Sequence, residues 1–247
     1  MDSRWYETFF QGVSLELWEK AIPKEKTEDE CEMIERVLQP PPGGRLLDIP
    51  CGPGRHLKAL AAKGYQMIGV DISGEAIDRA REFLEQEGLE AELNCLDMTE
   101  LPVTEPLDAA YCMGNSFGYF DRGQTLRFLQ SVAQSMKRKT GFLLNTSIAA
   151  ESILTAMDER NWLEIDDILF LIENNYDASK SCMDSKFIFV KDGEIERKSA
   201  IHYVFTVSEI QEMLREAGFH VKARFSSPSL EPYEVGCDEL YIYSVKV

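Results

Sequence analysis

No stretch of this chain stays apolar long enough to cross a bilayer. The segment Ile165 to Ile172 is among its most hydrophobic, yet it carries Asp166 and Asp167, whereas a membrane-spanning helix needs about 20 apolar residues. The N-terminus has no basic segment followed by an apolar one, the mark of a leader. The expected location is therefore the cytoplasm, with no membrane partner. Paired cysteines are missing as well. Cys31, Cys51, Cys95, Cys112, Cys182 and Cys237 are scattered without a Cys-x-x-Cys spacing, so neither a disulfide framework nor a metal site is expected. Excess positive charge is also lacking. The formal net charge is −17, which repels a phosphate backbone, and no basic stripe with interleaved aromatics offsets it, so nucleic acid is not an expected partner. The basic cluster Lys137-Arg138-Lys139 reads as the end of a helix, where cations offset the helix dipole. Internal repeats and low-complexity tracts are absent from the sequence.

What is present suits a sizeable folded core: 247 residues, 44% of them hydrophobic. The chain is organised around Arg45 to His56. Apolar Leu46, Leu47 and Ile49 read as a buried strand, Gly52 and Gly54 as a tight turn, and the residues after them as a helix. Glycine tolerates dihedrals closed to other residues, so such a turn lets backbone amides approach a ligand closely.

Ahead of this stretch, Trp5, Tyr6, Phe9, Phe10, Val13 and Leu17 recur at helical spacing, which predicts an amphipathic helix serving either as cover for the sheet or as a lid over a ligand. Thr27-Glu28-Asp29-Glu30 has the capping-box pattern, and the run Pro40 to Gly44 stops the helix that follows. Behind the glycine turn, strands end at Asp71, Asp97 and Gly114-Asn115-Ser116, alternating with helices capped by Ser73 and Asp121, and Gly141 to Thr146 form a fifth strand. That alternation implies a parallel sheet. The pattern then changes: 163–174, 182–191 and 194–205 read as three antiparallel strands with Asp192-Gly193 as a hairpin turn. A helix opened by Ser208-Glu209-Ile210-Gln211 and a final strand pair, 219–225 and 240–247, complete the chain.

The fold class expected is α/β: a doubly wound, seven-stranded, mainly parallel sheet with helices on both faces, plus a three-stranded antiparallel insertion between the fifth strand and the last helix. The corresponding parts are a helical cap over 1–44, a core of 45–147 and 207–247, and an insertion over 148–206.

Four features resemble the class I S-adenosylmethionine-dependent methyltransferases, a Rossmann-like family, along nearly the whole chain. They are Leu46 to Gly54 as an acidic-plus-glycine turn, Asp71 placed 19 positions after Gly52, Asn94-Cys95-Leu96-Asp97-Met98, and the terminal helix and strand pair from Glu209 to Val247. The chain departs from the family pattern at Pro50, where a glycine is common. The resemblance implies S-adenosylmethionine as cofactor and S-adenosylhomocysteine as product, and the residues support roles for each group. Asp71 can accept hydrogen bonds from ribose hydroxyls, and Asp97 from the adenine amine, while Ile72 and Met98 offer apolar surface to the ring. Asp48 and the turn of Cys51, Gly52 and Gly54 would face the methionine part, with Met113 completing the cofactor site. A lone aspartate at a strand end is commonly just a helix cap; three at successive strand ends fit that reading poorly.

A nicotinamide-dependent oxidoreductase is the rival enzyme, since it too places glycines after strand one and a carboxylate after strand two. Its fingerprint wants a third glycine where Leu57 stands. A cofactor-binding subunit without chemistry of its own is the non-enzyme alternative. For a methyltransferase acting on a nitrogen or oxygen of a small molecule, the candidate acceptor-binding residues are Asn115, Phe117, Tyr119, Tyr6 and Tyr176, against the plainer reading of an aromatic loop packed on its neighbours. Of three histidines, His202 in the insertion is the candidate general base, against the plainer reading of a histidine satisfied within its strand. One apolar face of the insertion, with Ile165, Ile168, Phe170, Ile172, Phe187 and Phe189, must be covered by the main sheet, by substrate or by another chain, the last giving a homodimer.

Overall fold

A computed structural model describes residues 4–101 and 106–247. Its centre is a seven-stranded sheet built from β1 (Arg45–Asp48), β2 (Gln66–Asp71), β3 (Ala91–Cys95), β4 (Leu107–Cys112), β5 (Met136–Thr146), β10 (Phe219–Phe225) and β11 (Leu240–Lys246), in the spatial order β10-β11-β5-β4-β1-β2-β3. Strands β1 to β5 pair in parallel, and β11 runs antiparallel to both its neighbours. The strand order reverses beside β1, and in open sheets of this kind the crevice for a ligand lies there, beyond the carboxyl ends of the strands.

Successive side chains of a strand point to opposite faces, and the sheet divides its apolar residues accordingly. Leu47, Ile68, Ala110, Phe142 and Ile242 join one core, while Leu46, Met67, Ala109, Leu143 and Tyr241 join the other. Against the first face pack α6 (Arg122–Ser135), through Phe128, Leu129 and Val132, and α8 (Val207–Glu216), through Ile210, Met213 and Leu214. Against the second pack α3 (Lys24–Leu38), α4 (Arg55–Ala61) and α5 (Gly74–Gln86), through Ile34, Val37, Leu57, Leu60 and Ile77.

The caps at Ser73 and Asp121 form as expected, accepting from the amides of Ala76 and Gln124. Two others differ. The box at α8 is closed by Thr206 with Glu209, two residues ahead of the expected Ser208. Helix α3 starts at Lys24 behind Pro23, so Thr27 caps nothing and Glu30 turns inward instead. The cluster Lys137-Arg138-Lys139 belongs to β5, not to the end of α6, and Lys137 pairs with Asp108 at 2.6 Å.

The insertion has four antiparallel strands where three were expected: β6 (Arg160–Ile165), β7 (Ile168–Asp177), β8 (Cys182–Lys191) and β9 (Glu194–Tyr203). Asp166, at φ +51°, and Asp167 turn the chain between Ile165 and Ile168, splitting one expected run into a hairpin. A short helix, α7 (Ala150–Ala156), leads into it. The N-terminal aromatic stripe is likewise divided, into α1 (Tyr6–Phe9) and α2 (Val13–Ala21), because Gly12 at φ +60° breaks the helix.

The apolar face of the insertion is met within the same chain. Phe9 lies edge-on to Phe187 at 5.0 Å, Trp18 to Phe170 at 5.8 Å, and Phe170, Phe187 and Phe189 form one buried cluster with Trp5 and Leu17. Polar ties reinforce the joint. The Lys198 ammonium donates to the carbonyls of Phe9 (2.6 Å) and Gln11 (2.9 Å) and to Ser14 Oγ (2.8 Å), while Trp5 Nε1 donates to the Ile201 carbonyl at 2.9 Å. The same segment is tied to α5, where Gly12 N donates to Glu75 at 2.9 Å and Ser73 Oγ to the Phe10 carbonyl at 2.7 Å. Residues 5–22 thus bridge the main sheet and the insertion.

Phe189, 1% exposed, sits at the centre of this joint. Phe189→Ala is expected to lower unfolding stability by about 3–5 kcal/mol, the usual loss for a buried phenylalanine, measured as a shift of the urea midpoint. A loss below about 1 kcal/mol would show that segment and insertion share no core.

Candidate active site

The carboxyl ends of the parallel strands open on one cavity of about 680 Å³, a size typical of small-molecule sites. The core contributes Cys51, Gly52, Asp71, Ile72, Asp97, Met98, Met113 and Asn115 to its wall, residues that the sequence nominates from four separate loops. The opposite wall is Trp5, Tyr6, Phe9 and Phe10 from the N-terminal segment and Ile172, Met183, Phe187 and His202 from the insertion.

The glycine turn is held by Asp71. Its Oδ2 accepts from Gly52 N at 2.8 Å and its Oδ1 from Ser73 N at 2.9 Å, while Cys51 N donates to the Val70 carbonyl at 2.9 Å. Burial raises the Asp71 pKa and these amides oppose the rise. The two glycines have different duties. Gly52, at φ +53°, faces open space. Gly54, at φ +85°, does not line the cavity; a Cβ there would stand 3.0 Å from Cβ of Ala80, so its bareness lets α4 approach α5. Asp97 Oδ1 accepts from the amide and hydroxyl of Thr99, both at 2.9 Å, which leaves Oδ2 unengaged among the described residues.

Asp48 also stands off the cavity wall. It is buried behind the turn, its Oδ2 without a hydrogen bond and 3.9 Å from His56 Nδ1, with the Tyr111 hydroxyl nearby but not closing a bond. Burial pushes its carboxyl well above the usual range, with Arg55 opposing. Strand alternation accounts for this place: in β1, Leu47 joins the core on one face and its neighbours turn to the other, on which Asp48 lies over α3 and α4. Below it runs a network not foreseen in the sequence. His56 Nε2 meets Glu30 Oε2 at 2.9 Å, and Arg55 meets the same oxygen at 2.5 Å. Burial works against the Glu30 charge, but His56 and Arg55 prevail and hold its pKa down to about 2. Burial, aided by Arg55, lowers His56 to about 4. The pairing was hidden because Glu30 and His56 lie 26 positions apart and Glu30 reads locally as a capping residue.

On the far side, Asn115 adopts φ +64° and spends its side-chain oxygen on Ser147 N at 2.7 Å, joining the β4 loop to the end of β5. Phe117 points away from the cavity into the core, 6.3 Å from Phe205. Tyr176 lies one same-face step beyond Asn174 and packs on Ile148, Met183 and Val204 rather than lining the wall. Tyr119 does line it, 4.8 Å from Trp5 and stacked at 6.3 Å on Tyr6, and burial raises its hydroxyl pKa. His202 stands between Trp5 (5.1 Å) and Tyr119 (5.6 Å). No hydrogen bond or charge of the described residues acts on its ring, and burial alone lowers it to about 4. The aromatic stripe at residues 5–17 signalled the wall given by Trp5, Phe9 and Phe10; the insertion's Ile172, Met183 and Phe187 carried no signal beyond strand alternation.

His56 and His202, both near 4 in the fold, are neutral where histidine in an unfolded chain, near 6.5, takes up a proton. The unfolded chain therefore binds more protons from about pH 6.5 down to about 4, and stability falls with pH across that window. Glu30 acts in the same direction lower down, from about 4.5 to about 2. The urea midpoint should drop between about pH 7 and pH 4.5, and His202→Gln should flatten part of that slope. An unchanged midpoint would contradict neutral imidazoles in the folded chain.

Residues 46–139 match the family model of the methyltransferase domain. Over 227 residues the chain is 23% identical to a protein of Geobacillus sp. (strain WCH70) assigned as a methyltransferase, covering 88% of this chain and 87% of that one. An S-adenosylmethionine-dependent methyltransferase from Clostridium acetobutylicum ATCC 824 shares the fold with a TM-score of 0.82 at 17% identity, over 94% of this chain and 95% of that one. The sugar N-methyltransferase KedS8 from Streptoalloteichus sp ATCC 53650 does so with a TM-score of 0.72 at 18% identity, over 96% and 94%. A methyltransferase domain is thus matched from β1 into β5, and the fold of an S-adenosylmethionine-dependent methyltransferase extends over nearly the whole chain, which together support a class I methyltransferase.

Proposed function

We propose that this enzyme transfers a methyl group from S-adenosylmethionine to a nitrogen or oxygen of a small molecule, with the cofactor along the strand ends and the acceptor between the N-terminal segment and the insertion. One observation carries the reading. The Asp71 carboxylate, anchored by the Gly52 and Ser73 amides, opens on the same cavity as Asp97 and the aromatic wall around His202. In this assignment Asp71 receives the ribose hydroxyls, Asp97 Oδ2 the adenine amine, and Ile72 and Met98 flank the ring. Cys51, Gly52 and Met113 border the methionine portion, with Asp48 and Gly54 supporting the turn from behind it. The residues present fit the cofactor: carboxylates for its hydroxyl and amine groups, a bare glycine where backbone must approach, and apolar surface for adenine.

S-adenosylmethionine supplies a methyl group on a cationic sulfur, and the charge is lost as the methyl leaves. The protein's work is then to exclude water, align the acceptor and receive its proton. Trp5, Tyr6, Phe10 and Tyr119 would exclude water and hold the acceptor, and His202, with an unengaged neutral ring, would accept the proton from its hydroxyl or amine. Phe117 and Tyr176 take no part beyond packing. That KedS8 is a sugar N-methyltransferase supports a small-molecule acceptor here. Segments 1–44 and 148–206 act as cap and acceptor wall around the core of 45–147 and 207–247.

Calorimetry should show S-adenosylhomocysteine binding and no binding of NADH; tight NADH binding alone would overturn the assignment. Asp71→Asn removes a charged acceptor while keeping the shape, and should weaken S-adenosylhomocysteine by roughly tenfold or more. An unchanged affinity would remove Asp71 from the site. Once an acceptor is identified, the acid limb of kcat/KM should fall near about pH 4 rather than about 6.5, since His202 is neutral above its lowered pKa. His202→Gln should reduce kcat by about 100-fold or more; a loss confined to KM would make His202 a binding residue only.

A further inference from the structure

We infer that the acceptor is an uncharged, ring-bearing small molecule carrying a hydroxyl or neutral amine, and not a phosphorylated, nucleotide-linked or carboxylated compound; the inference rests on the acceptor chamber proposed above. The charges around the cavity carry it. Among the described residues, the Arg and Lys side chains on its wall are those of Arg55 and Arg79. Arg55 is engaged by Glu30 at 2.5 Å and by Thr27 Oγ1 at 3.1 Å. Arg79 is engaged by Glu75 at 2.6 Å and by Glu19. The ammonium of Lys198, on the insertion strand that carries His202, is spent on the carbonyls of Phe9 and Gln11 and on Ser14. An anionic acceptor would have to give up its hydration without gaining a protein cation that is not already paired, and a chain of net charge −17 would repel it on approach.

Several neutral polar groups of the insertion and the β4 loop are committed as well. Ser185 Oγ donates to Asn174 Oδ1 at 2.7 Å and Asn174 Nδ2 donates to the Asp158 carbonyl at 3.1 Å, which satisfies both side chains within the insertion. Asn115 Oδ1 accepts from Ser147 N. What the chamber offers is aromatic surface from Trp5, Tyr6, Phe10 and Tyr119, together with the imidazole of His202. Aromatic walls with few polar groups and no unpaired cation suit an uncharged ring that carries a hydroxyl or amine.

The test is calorimetry on the full chain saturated with S-adenosylhomocysteine, using matched pairs: phenol with phenyl phosphate, 4-methylphenol with 4-hydroxybenzoate, benzyl alcohol with benzyl phosphate, and aniline with 4-aminobenzoate. At least one uncharged member should bind, with its charged counterpart weaker by roughly thirtyfold or more. Ile172→Lys, which places a free cation on the wall, should narrow that gap through tighter binding of the phosphate. Equal or tighter binding of the charged members by the unaltered protein, or no binding of any uncharged one, overturns the inference. Failure of S-adenosylhomocysteine to bind at the outset would instead sink the methyl-transfer assignment, and the acceptor class with it.

Discussion

The Asp71 carboxylate holds two amides that belong to different parts of the sheet edge, Gly52 in the turn after β1 and Ser73 at the cap of α5. Much of the cavity depends on that pair of bonds. They fix the path of the glycine turn against β2, they set the start of α5, and they keep a buried carboxylate oriented towards open space. Ionisation of Asp71 is itself supported by them, since burial alone would favour the protonated acid. The same side chain is thus a structural pin on the cavity wall, and in the proposed arrangement it is also the acceptor for the ribose hydroxyls.

Around this fixed edge the chain builds a second, less regular wall. Residues 5–22 form two short helices in place of one, because Gly12 breaks the segment, and they are clamped on both sides: by Glu75 and Ser73 of the core and by Lys198 and Ile201 of the insertion. Apolar burial supplies most of the cohesion through Phe9, Phe170, Phe187 and Phe189. Polar contacts set the alignment. The outcome is an enclosure that is charged and hydrogen-bonding at the strand ends and aromatic at the insertion. Such a division suits a cationic, richly functionalised cofactor on one side and a weakly polar acceptor on the other.

Parts of this were legible from local patterns. The strand, turn and helix around Gly52, the carboxylates at Asp71 and Asp97, the caps at Ser73 and Asp121, and the antiparallel character of 160–203 are all encoded within a few residues of one another. Where the local reading failed, a longer-range demand had won. Thr27 to Glu30 has the form of a helix cap, yet Glu30 is taken by His56 and Arg55. Gly54 has the form of a ligand contact, yet packing of α4 on α5 consumes its bareness. Asp166-Asp167 turns the chain where an apolar run promised one continuous strand.

The sequence by itself determined the order of strands and helices in the core, the position of the glycine turn and the identity of the carboxylates at the strand ends, because periodicity, caps and turns act over a few residues. The tertiary structure decided which of the nominated side chains meet. It turned Asp48 behind the turn, drew Phe117 and Tyr176 into packing away from the cavity, and brought His202 to within 5.1 Å of Trp5, a residue 197 positions away. The physical reason is that burial of one apolar face against another selects the partner surface, and neither face alone contains the information about what will cover it.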